Sequence, residues 1–184
     1  MTPLSNRPLR VLIVCTGNSA RSQMAEAMLN RKGRGRLIAE SAGSQPAARV
    51  NPYAVEALRE AGIDWRGRQP RGMDDLRDKA WDIVITVCDR AKEACPIFPG
   101  QPVLGHWGME DPAGVTGDEE TKRHAFHEAL QLISRRIDLM LALPMEKLER
   151  RALQEQLRAI GREEGARVQL DEAVSVPEPR PLSK

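Results

Sequence analysis

Aromatic residues are scarce in this sequence, and charge of neither sign predominates. Three Trp, two Phe and one Tyr occur among 184 residues, and the formal net charge at pH 7 is +2. No stretch combines clustered basic residues with aromatic ones, as a surface for nucleic acid would. The composition therefore argues against nucleic acid as a partner, while the length is sufficient for one domain with a sizeable hydrophobic core.

Long apolar runs are missing as well. No run is long enough to cross a membrane, and residues 1–10 lack the apolar core of a signal peptide. We therefore expect a cytoplasmic location and no membrane association. A monomer is also expected. Cysteine is also rare, with three in the chain, at Cys15, Cys88 and Cys95. In a reducing compartment such cysteines are more often catalytic or metal-binding than paired in structural disulfides.

The sequence is organised around a short apolar segment that ends at Cys15. Residues 10–15 predict a buried strand, and residues 19–32 predict a helix. A loop between them can direct backbone N–H groups and the N-terminus of the helix toward an anion. Gly17 is expected to supply the unusual backbone dihedrals of such a loop. The candidate oxyanion-binding residues are Thr16, Gly17, Asn18, Ser19, Ala20, Arg21 and Ser22.

Cys15 and Arg21 suggest nucleophilic chemistry in this loop. Cys15 would lie at the floor of a positive site, where the reactive thiolate is favoured, and a hydroxyl of Ser22 or Ser19 could stabilise it further. The planar guanidinium of Arg21 can hold two oxygens of a tetrahedral oxyanion. A buried cysteine and a surface arginine are the plainer alternative, but the strand–glycine loop–helix context favours the anion site.

Apolar strands that alternate with helices predict an α/β fold. We expect a four-stranded parallel sheet of order 2-1-3-4, with helices on both faces. The predicted strands cover residues 10–15, 37–41, 82–88 and 103–107, and the predicted helices cover 19–32, 52–61, 73–80 and 119–143, with a short helical or loop segment at 89–94. In this order the carboxyl ends of strands one and three meet, so Cys15 and Cys88 are candidates for close approach.

The composition changes after Pro144. Residues 145–165 predict a charged amphipathic helix packed on its own domain, and residues 171–184, with three prolines, predict disorder. The apolar stripe of the helix is Leu148, Ala152, Leu157 and Ile160. We therefore divide the chain into a domain over 9–144 and an extension over 145–184. Because no candidate catalytic residue lies in the extension, the chemistry is expected to survive its removal, with some loss of stability.

Asp111 follows the fourth predicted strand and is expected at the same edge of the sheet as the anion loop. A carboxyl group there could protonate a leaving oxygen. The plainer alternative is a turn formed by Asp111 and Pro112.

Cys88 and Cys95 bracket the short segment 89–94. The segment could hold the two thiols apart and partly unwind to let them form a disulfide, for which their Cα atoms must lie within about 7 Å. Two alternatives remain: a pair of small buried hydrophobic residues, or a zinc site shared with Cys15 and His106. The ligand spacing for zinc is poor, and Arg21 would place a cation beside the metal, so a redox role is favoured.

Together these segments resemble the thioredoxin-coupled arsenate reductases, which share a fold with low-molecular-weight protein tyrosine phosphatases. The matching motifs, within residues 9–143, are CTGNSARSQMAE from Cys15 to Glu26, Ser41-Ala42-Gly43, Asn51-Pro52, Cys88-x6-Cys95-Pro96 and His106-Trp107-Gly108-x2-Asp111-Pro112-Ala113-Gly114.

The resemblance implies arsenic detoxification by a cycle of three thiols. Cys15 attacks arsenate held by Arg21 and the loop amides, and Asp111 protonates the departing hydroxide. Cys88 then forms a disulfide with Cys15 as arsenite leaves. Cys95 next pairs with Cys88, and thioredoxin reduces that disulfide. The resemblance implies no bound cofactor and no required metal.

Two positions depart from the family pattern. Many relatives have a further cysteine where this chain has Ala20, which takes no part in the cycle. Some relatives bind potassium through Asn, Glu, Ser and Asp, and Asn18, Glu26 and Ser41 match three of these. Arg71 stands at the fourth position. The sequence therefore leaves two alternatives for this site: a bound potassium ion, or the guanidinium of Arg71 in its place.

Two competing functions share the same loop. A phosphatase acting on phosphotyrosine or small phosphoesters would use the same oxyanion site, since arsenate and phosphate are both tetrahedral. The paired cysteines argue for reduction, and Ala113-Gly114 follow Asp111-Pro112 where phosphatases usually have two aromatic residues. A weak phosphatase side activity is still expected. A non-catalytic oxyanion or redox sensor is the third candidate, against which intact Cys15, Arg21 and Asp111 argue.

Overall fold

The computed structural model describes residues 7–93 and 97–163. The strands are β1 (Leu9–Cys15), β2 (Leu37–Gly43), β3 (Ile83–Thr86) and β4 (Val103–His106). The helices are α1 (Arg21–Gly33), α2 (Pro52–Glu60), α3 (Asp89–Glu93), α4 (Glu119–Ala142) and α5 (Arg150–Arg162), with 3₁₀ turns at Asp74–Leu76 and Pro112–Gly114. The predictions for residues 171–184 and for Cys95 lie outside the described residues.

The four strands form one parallel sheet in the order β2-β1-β3-β4, which confirms the predicted fold class. Apart from Arg10 in β1 and Thr86 in β3, these two strands are apolar, as is typical of strands with helices on both faces of the sheet. In the register of the sheet, Cys15 at the end of β1 lies beside Gly43 of β2, and Val14 lies beside Thr86 of β3. The carboxyl ends of β1 and β3 therefore meet where the anion loop begins.

Two predicted helices have different limits in the structure. Helix α1 begins at Arg21 rather than at residue 19, because Ser19 and Ala20 belong to the anion loop. The helix predicted over 73–80 is reduced to the 3₁₀ turn Asp74–Leu76. Just before that turn, the N–H of Met73 donates to the carbonyl oxygen of Gly43 at 3.1 Å, so the chain there stays attached to the end of β2. Helix α2 is capped by Asn51, whose side chain accepts from the N–H of Tyr53.

Helix α4 packs against α1 and α2. Its buried residues are Phe126, Ala129, Leu130, Ile133, Arg136, Ile137 and Met140. Three other apolar residues of the helix, Ala125, Leu132 and Leu141, are only partly buried. Arg136 is unexpected on this face, because a buried arginine is costly unless its charge is compensated.

The C-terminal helical extension is confirmed as α5, which packs against β4. It buries Leu153, Leu157 and Ile160, whereas Ala152 is only partly buried, so the stripe is rotated from the predicted one. The division of the chain at residue 144 remains a prediction. Within the described part of the chain, every helix is too short or too polar to cross a membrane.

Candidate active site

The anion loop, residues 15–22, surrounds the sulfur of Cys15. Cys15 is 4% exposed. Its Sγ accepts a hydrogen bond from the N–H of Asn18 at 3.0 Å and lies 2.9 Å from Oγ of Ser22. Of the two hydroxyls considered from the sequence, Ser22 therefore contacts the sulfur. The left-handed residue of the loop is Asn18, with a φ of 47°. The expectation that Gly17 supplies this conformation was wrong.

Asn18 is held in this conformation by both ends of its side chain. Nδ2 donates to Oγ of Ser22 at 2.9 Å and to Oγ of Ser41 at 2.8 Å. Oδ1 accepts from the N–H of Arg71 at 2.7 Å and from Nε2 of Gln23 at 3.0 Å. A left-handed residue other than glycine costs about 1–2 kcal/mol, and these four hydrogen bonds offset that cost. The side chain of Asn18 therefore joins the loop to β2 through Ser41 and to the chain at Arg71.

Gly43 allows β2 to approach the anion loop. A Cβ built on Gly43 would overlap the carbonyl oxygen of Thr16 and lie 2.9 Å from the backbone nitrogen of Asn18. The next two residues are bonded to the loop, since the N–H of Ser44 donates to the carbonyl of Cys15 at 3.1 Å and that of Gln45 to the carbonyl of Thr16 at 2.9 Å. The Ser41–Gly43 motif thus supports the anion loop from the side.

Arg21 and Asp111 are brought together although they are distant in sequence. Nη2 of Arg21 lies 3.0 Å from Oδ2 of Asp111, and Nη1 donates to the carbonyl oxygen of Met109 at 2.9 Å. Oδ1 of Asp111 accepts from the N–H of Ala113 at 3.1 Å and so caps the 3₁₀ turn Pro112–Gly114. The side chain of Asp111 is 51% exposed, against 11% for Arg21. The carboxyl group therefore lies between the anion loop and solvent.

The thiol of Cys15 titrates differently from the sequence-based expectation. Burial raises the pKa of Cys15, and this outweighs the hydrogen bonds from Ser22 and the Asn18 N–H and the charge of Arg21, which lower it. The direction of this pKa shift is opposite to the sequence-based expectation that the loop favours the thiolate. Arg21 is also paired with Asp111, which reduces the net positive charge near the sulfur.

Cys88 is the second thiol near the anion loop. It is buried, and its Sγ lies 3.4 Å from Oγ1 of Thr16. Cys15, Cys88, Arg21 and Asp111 line one cavity of about 650 Å³. Among the described residues Cys15 and Cys88 are free cysteines. Cys95 lies outside the described residues, so its pairing with Cys88 remains a prediction.

His106 is engaged by residues other than the thiols. Nδ1 hydrogen-bonds Oγ1 of Thr86 at 2.8 Å, and Nε2 lies 3.0 Å from Oδ1 of Asp89. Across residues 7–93 and 97–163, no group of three or more His, Cys, Asp or Glu side chains is arranged to hold a metal ion. The zinc alternative therefore gains no support from the position of His106.

The residues matched to the potassium site do not fit that ion. Glu26, 5% exposed at its side chain, accepts from Oγ of Ser41 at 2.6 Å. Nη2 of Arg71 lies 3.3 Å from the same Glu26 oxygen, and its Nη1 lies 2.9 Å from Glu40. Both acceptor positions of the Asn18 amide oxygen are taken by N–H donors. A guanidinium thus already supplies the positive charge that the carboxylate needs.

Two supporting contacts were missed from the sequence. Nε1 of Trp65 donates to Oε1 of Gln23 at 2.8 Å and so fixes the amide that bonds Asn18. Arg136 donates to the carbonyl oxygens of Trp107 and Gly108, which precede Asp111. The signal for Arg136 was its position, three residues after Ile133 on the apolar face of α4.

Comparisons with known proteins agree with this geometry. A family model described as low molecular weight phosphotyrosine protein phosphatase matches residues 10–158. An arsenate reductase of Oceanobacillus iheyensis is 40% identical over 128 residues, which is 69% of this chain and 91% of the relative.

Two solved structures are similar in fold. An arsenate reductase in a phosphate binding state has a TM-score of 0.59 at 27% identity, covering 73% of this chain and 97% of the other. A thioredoxin-dependent arsenate reductase of Corynebacterium glutamicum has a TM-score of 0.53 at 27% identity, covering 74% of this chain and 65% of the other. The chain therefore belongs to the low molecular weight phosphotyrosine protein phosphatase family, in the group that contains the arsenate reductases.

Proposed function

We propose that the protein reduces arsenate to arsenite with a relay of three thiols, Cys15, Cys88 and Cys95, whose final disulfide is reduced by thioredoxin. It would serve arsenic detoxification in the cytoplasm, without a bound cofactor. The observation that carries the proposal is the second buried thiol, Cys88, in the same cavity as Cys15, Arg21 and Asp111. Hydrolysis of a phosphoester has no use for that thiol, whereas reduction requires it.

In the first step the thiolate of Cys15 attacks arsenate and forms an S–As bond. One arsenate oxygen leaves as water after Asp111 supplies a proton. The backbone N–H groups of residues 16–21 and the guanidinium of Arg21 hold the remaining oxygens. The N–H of Asn18 and the hydroxyl of Ser22 already contact the sulfur and stabilise its negative charge.

The second step transfers two electrons to arsenic. The thiolate of Cys88 attacks Sγ of Cys15, a disulfide forms, and the S–As electron pair departs with arsenic as arsenite. The hydroxyl of Thr16, 3.4 Å from Sγ of Cys88, is placed to stabilise that thiolate. Cys95 then attacks Sγ of Cys88, which releases Cys15 as a thiolate. The dithiol of thioredoxin reduces the resulting Cys88–Cys95 disulfide.

The activities for which the similar proteins are named support this assignment. The relative at 40% identity is an arsenate reductase, and the neighbour from Corynebacterium glutamicum is thioredoxin-dependent. Another neighbour binds phosphate, a tetrahedral oxyanion of the same shape as arsenate. These similarities support arsenate as the substrate and a thioredoxin as the reductant.

A phosphatase is the second candidate, favoured by the matched family model. The anion loop, Arg21 and Asp111 would serve it equally well, because phosphate and arsenate have the same shape and charge. A phosphatase would hydrolyse its phosphocysteine with water and would leave Cys88 and Cys95 unused.

The order of the thiols distinguishes the two functions. Cys88→Ser is expected to stop after arsenate has bonded to Cys15, because no second thiol reaches the adduct. Cys95→Ser is expected to release one arsenite per enzyme and then stall with Cys15 joined to Cys88. The measurement is arsenite release in a single turnover, followed by peptide mapping of the disulfides under non-reducing conditions.

The wild-type protein with thioredoxin, thioredoxin reductase and NADPH is the reference for multiple turnovers. Equal behaviour of the two variants would contradict the order of the relay. Undiminished multiple turnover in either variant, or phosphoester hydrolysis without arsenate reduction, would return the protein to the phosphatase assignment.

A further inference from the structure

The last turn of α5 lies directly against the segment that leads to Asp111. We call this segment, residues 107–114, the acid loop. Nε1 of Trp107 donates to the carbonyl oxygen of Leu157 at 3.0 Å. A Cβ built on Gly161 would overlap the carbonyl oxygen of His106 and lie 3.0 Å from Cδ1 of Trp107. The extension thus touches the start of the acid loop at a point with no room for a side chain.

Arg136 of α4 joins these two elements. Nη1 donates to the carbonyl oxygens of Trp107 at 2.9 Å and Gly108 at 3.1 Å. Nη2 donates to the carbonyl oxygens of Gly161 at 2.9 Å and Glu163 at 3.2 Å. Arg136 is 4% exposed, and its Nε has no partner among the described residues. The charge is therefore compensated by carbonyl groups, two of them at the C-terminal end of α5, where the helix dipole is negative.

Two guanidinium groups hold the acid loop, but only that of Arg21 would also bind the oxyanion. Arg21 holds the Met109 carbonyl and Asp111, but a bound oxyanion needs the same N–H groups. Arg136 does not line the cavity, so its bonds need not break when the substrate binds. During the first step, Arg136 can therefore continue to hold the acid loop while Arg21 binds the oxyanion.

We propose that Arg136 and α5 form a brace that positions Asp111 for proton transfer. Arg136 is a positioning residue that acts through Asp111. Helix α5 contributes to catalysis by supplying two of the carbonyl groups that hold Arg136. This inference rests on the proposed function insofar as Asp111 is the acid of the first step. It replaces the expectation from the sequence that the extension over 145–184 is dispensable for the chemistry.

The brace is tested with two variants and one control in the full chain. Arg136→Met removes the four hydrogen bonds and keeps an unbranched apolar side chain. Gly161→Ala leaves Arg136 unchanged but pushes the last turn of α5 away from His106, and it remains informative if Arg136→Met does not fold. Arg135→Met is the matched control, because Arg135 is 51% exposed and its ion pair with Glu163 spans 3.9 Å.

The kinetic test compares each variant in two backgrounds, with Asp111 intact and with Asp111→Asn. The readout is the first-order rate of arsenite release in a single turnover at saturating arsenate. Because a misplacement of about 1 Å can cost about 100-fold, Arg136→Met and Gly161→Ala are expected to lose about tenfold with Asp111 intact. They are expected to lose less than about twofold with Asp111→Asn, and Arg135→Met to change neither rate. An equal loss in both backgrounds would overturn the proposal.

Amide hydrogen exchange tests the brace without any activity. The N–H of Trp107 donates to the carbonyl oxygen of Thr86 at 2.8 Å, and this amide is expected to exchange at least about tenfold faster in Arg136→Met and Gly161→Ala than in the wild type or Arg135→Met. Unchanged protection of the Trp107 amide in both brace variants would overturn the proposal even if turnover fell. If the wild-type protein failed to reduce arsenate, the proposed function would be wrong, while the exchange data would still decide whether the brace exists.

Discussion

Arg21 and Asp111 form an ion pair within the cavity, with Nη2 of Arg21 3.0 Å from Oδ2 of Asp111. A tetrahedral oxyanion binds the same guanidinium, so it competes with Asp111 for these donors. Once displaced, the carboxyl would lie beside the bound ligand without its guanidinium partner. Oxyanion binding would therefore release Asp111 from Arg21, as its proposed role as proton donor requires.

Asp111→Asn is expected to slow the first chemical step by about 10²–10⁴-fold, the usual contribution of a general acid. Phosphate binding should be retained or slightly tighter, because a negative charge beside the anion is removed. The measurements are single-turnover arsenite release and calorimetric titration with phosphate. Release at the wild-type rate would remove Asp111 from the mechanism, and loss of phosphate binding would mean that the residue shapes the site instead.

Ser22→Ala is expected to make Cys15 less reactive at neutral pH. Burial already raises the pKa of Cys15 above its ordinary value of 9.0, and the Ser22 hydroxyl opposes that rise. Its removal lets the pKa rise further, and each unit reduces the thiolate present at pH 7 by about tenfold. The measurement is the rate of Cys15 alkylation by iodoacetamide against pH, followed by peptide mass analysis. The midpoint should move upward.

Ser19→Ala is the matched control, because Ser22 is the serine whose hydroxyl contacts the sulfur. It should leave the alkylation profile unchanged, and an equal shift in both variants would contradict the assigned role. The raised pKa has a consequence for stability as well. Above about pH 9 the unfolded chain loses the Cys15 proton before the folded chain does, so the free energy of unfolding should fall with rising pH.

The sheet could be predicted from local sequence because its two central strands, β1 and β3, are apolar except at Arg10 and Thr86. The apolar runs ending at Cys15 and Thr86 indicate strands that are covered on both faces. Because strands alternate with helices along the chain, few orders of the strands in a parallel sheet are possible. The 3₁₀ turn Asp74–Leu76 could not be predicted in the same way. Its conformation depends on the bond between Met73 and Gly43, which joins residues distant in sequence.

The site was predictable only for residues whose chemistry is visible in a motif. Asn18 adopts the left-handed conformation because partners from other segments, Ser41 and Arg71 among them, bond its side chain. Nothing in the local sequence favours Asn18 over Gly17 for that role. The role of Arg136 likewise depends on where α5 ends, since two of its four acceptors lie there.

Gly43→Ala is expected to damage the anion loop. The added methyl group would overlap the carbonyl oxygen of Thr16, so the loop or the end of β2 must move. We expect phosphate affinity to fall at least about tenfold, since the amides that hold the anion lose their positions. Gly72→Ala is the control: Gly72 bridges Gly43, but its added methyl would meet Pro46 at an ordinary 3.6 Å. Equal phosphate affinities for both variants, by calorimetry, would contradict this account.

Arg71 is expected to make the protein independent of potassium. Its guanidinium lies 3.3 Å from the buried carboxylate of Glu26, where it supplies the positive charge that potassium would supply. Thermal unfolding and arsenate turnover of the wild type should therefore be the same in potassium chloride and in N-methylglucamine chloride at equal ionic strength. A higher melting temperature or rate in potassium alone would contradict the prediction.

Arg71→Ala tests the contact between Arg71 and Glu26 by removing the guanidinium. Without the guanidinium, the Glu26 carboxylate stays buried beside Ser41 with its charge uncompensated, so the variant should lose about 1–3 kcal/mol of stability, between the values for exposed and buried ion pairs. Potassium should now raise its melting temperature relative to N-methylglucamine, because a cation can approach the vacated carboxylate. Arg68→Ala is the control, since the Arg68 guanidinium stacks on Trp65 at 4.3 Å. If Arg71→Ala were as indifferent to potassium as the wild type, the guanidinium would not be standing in for a cation.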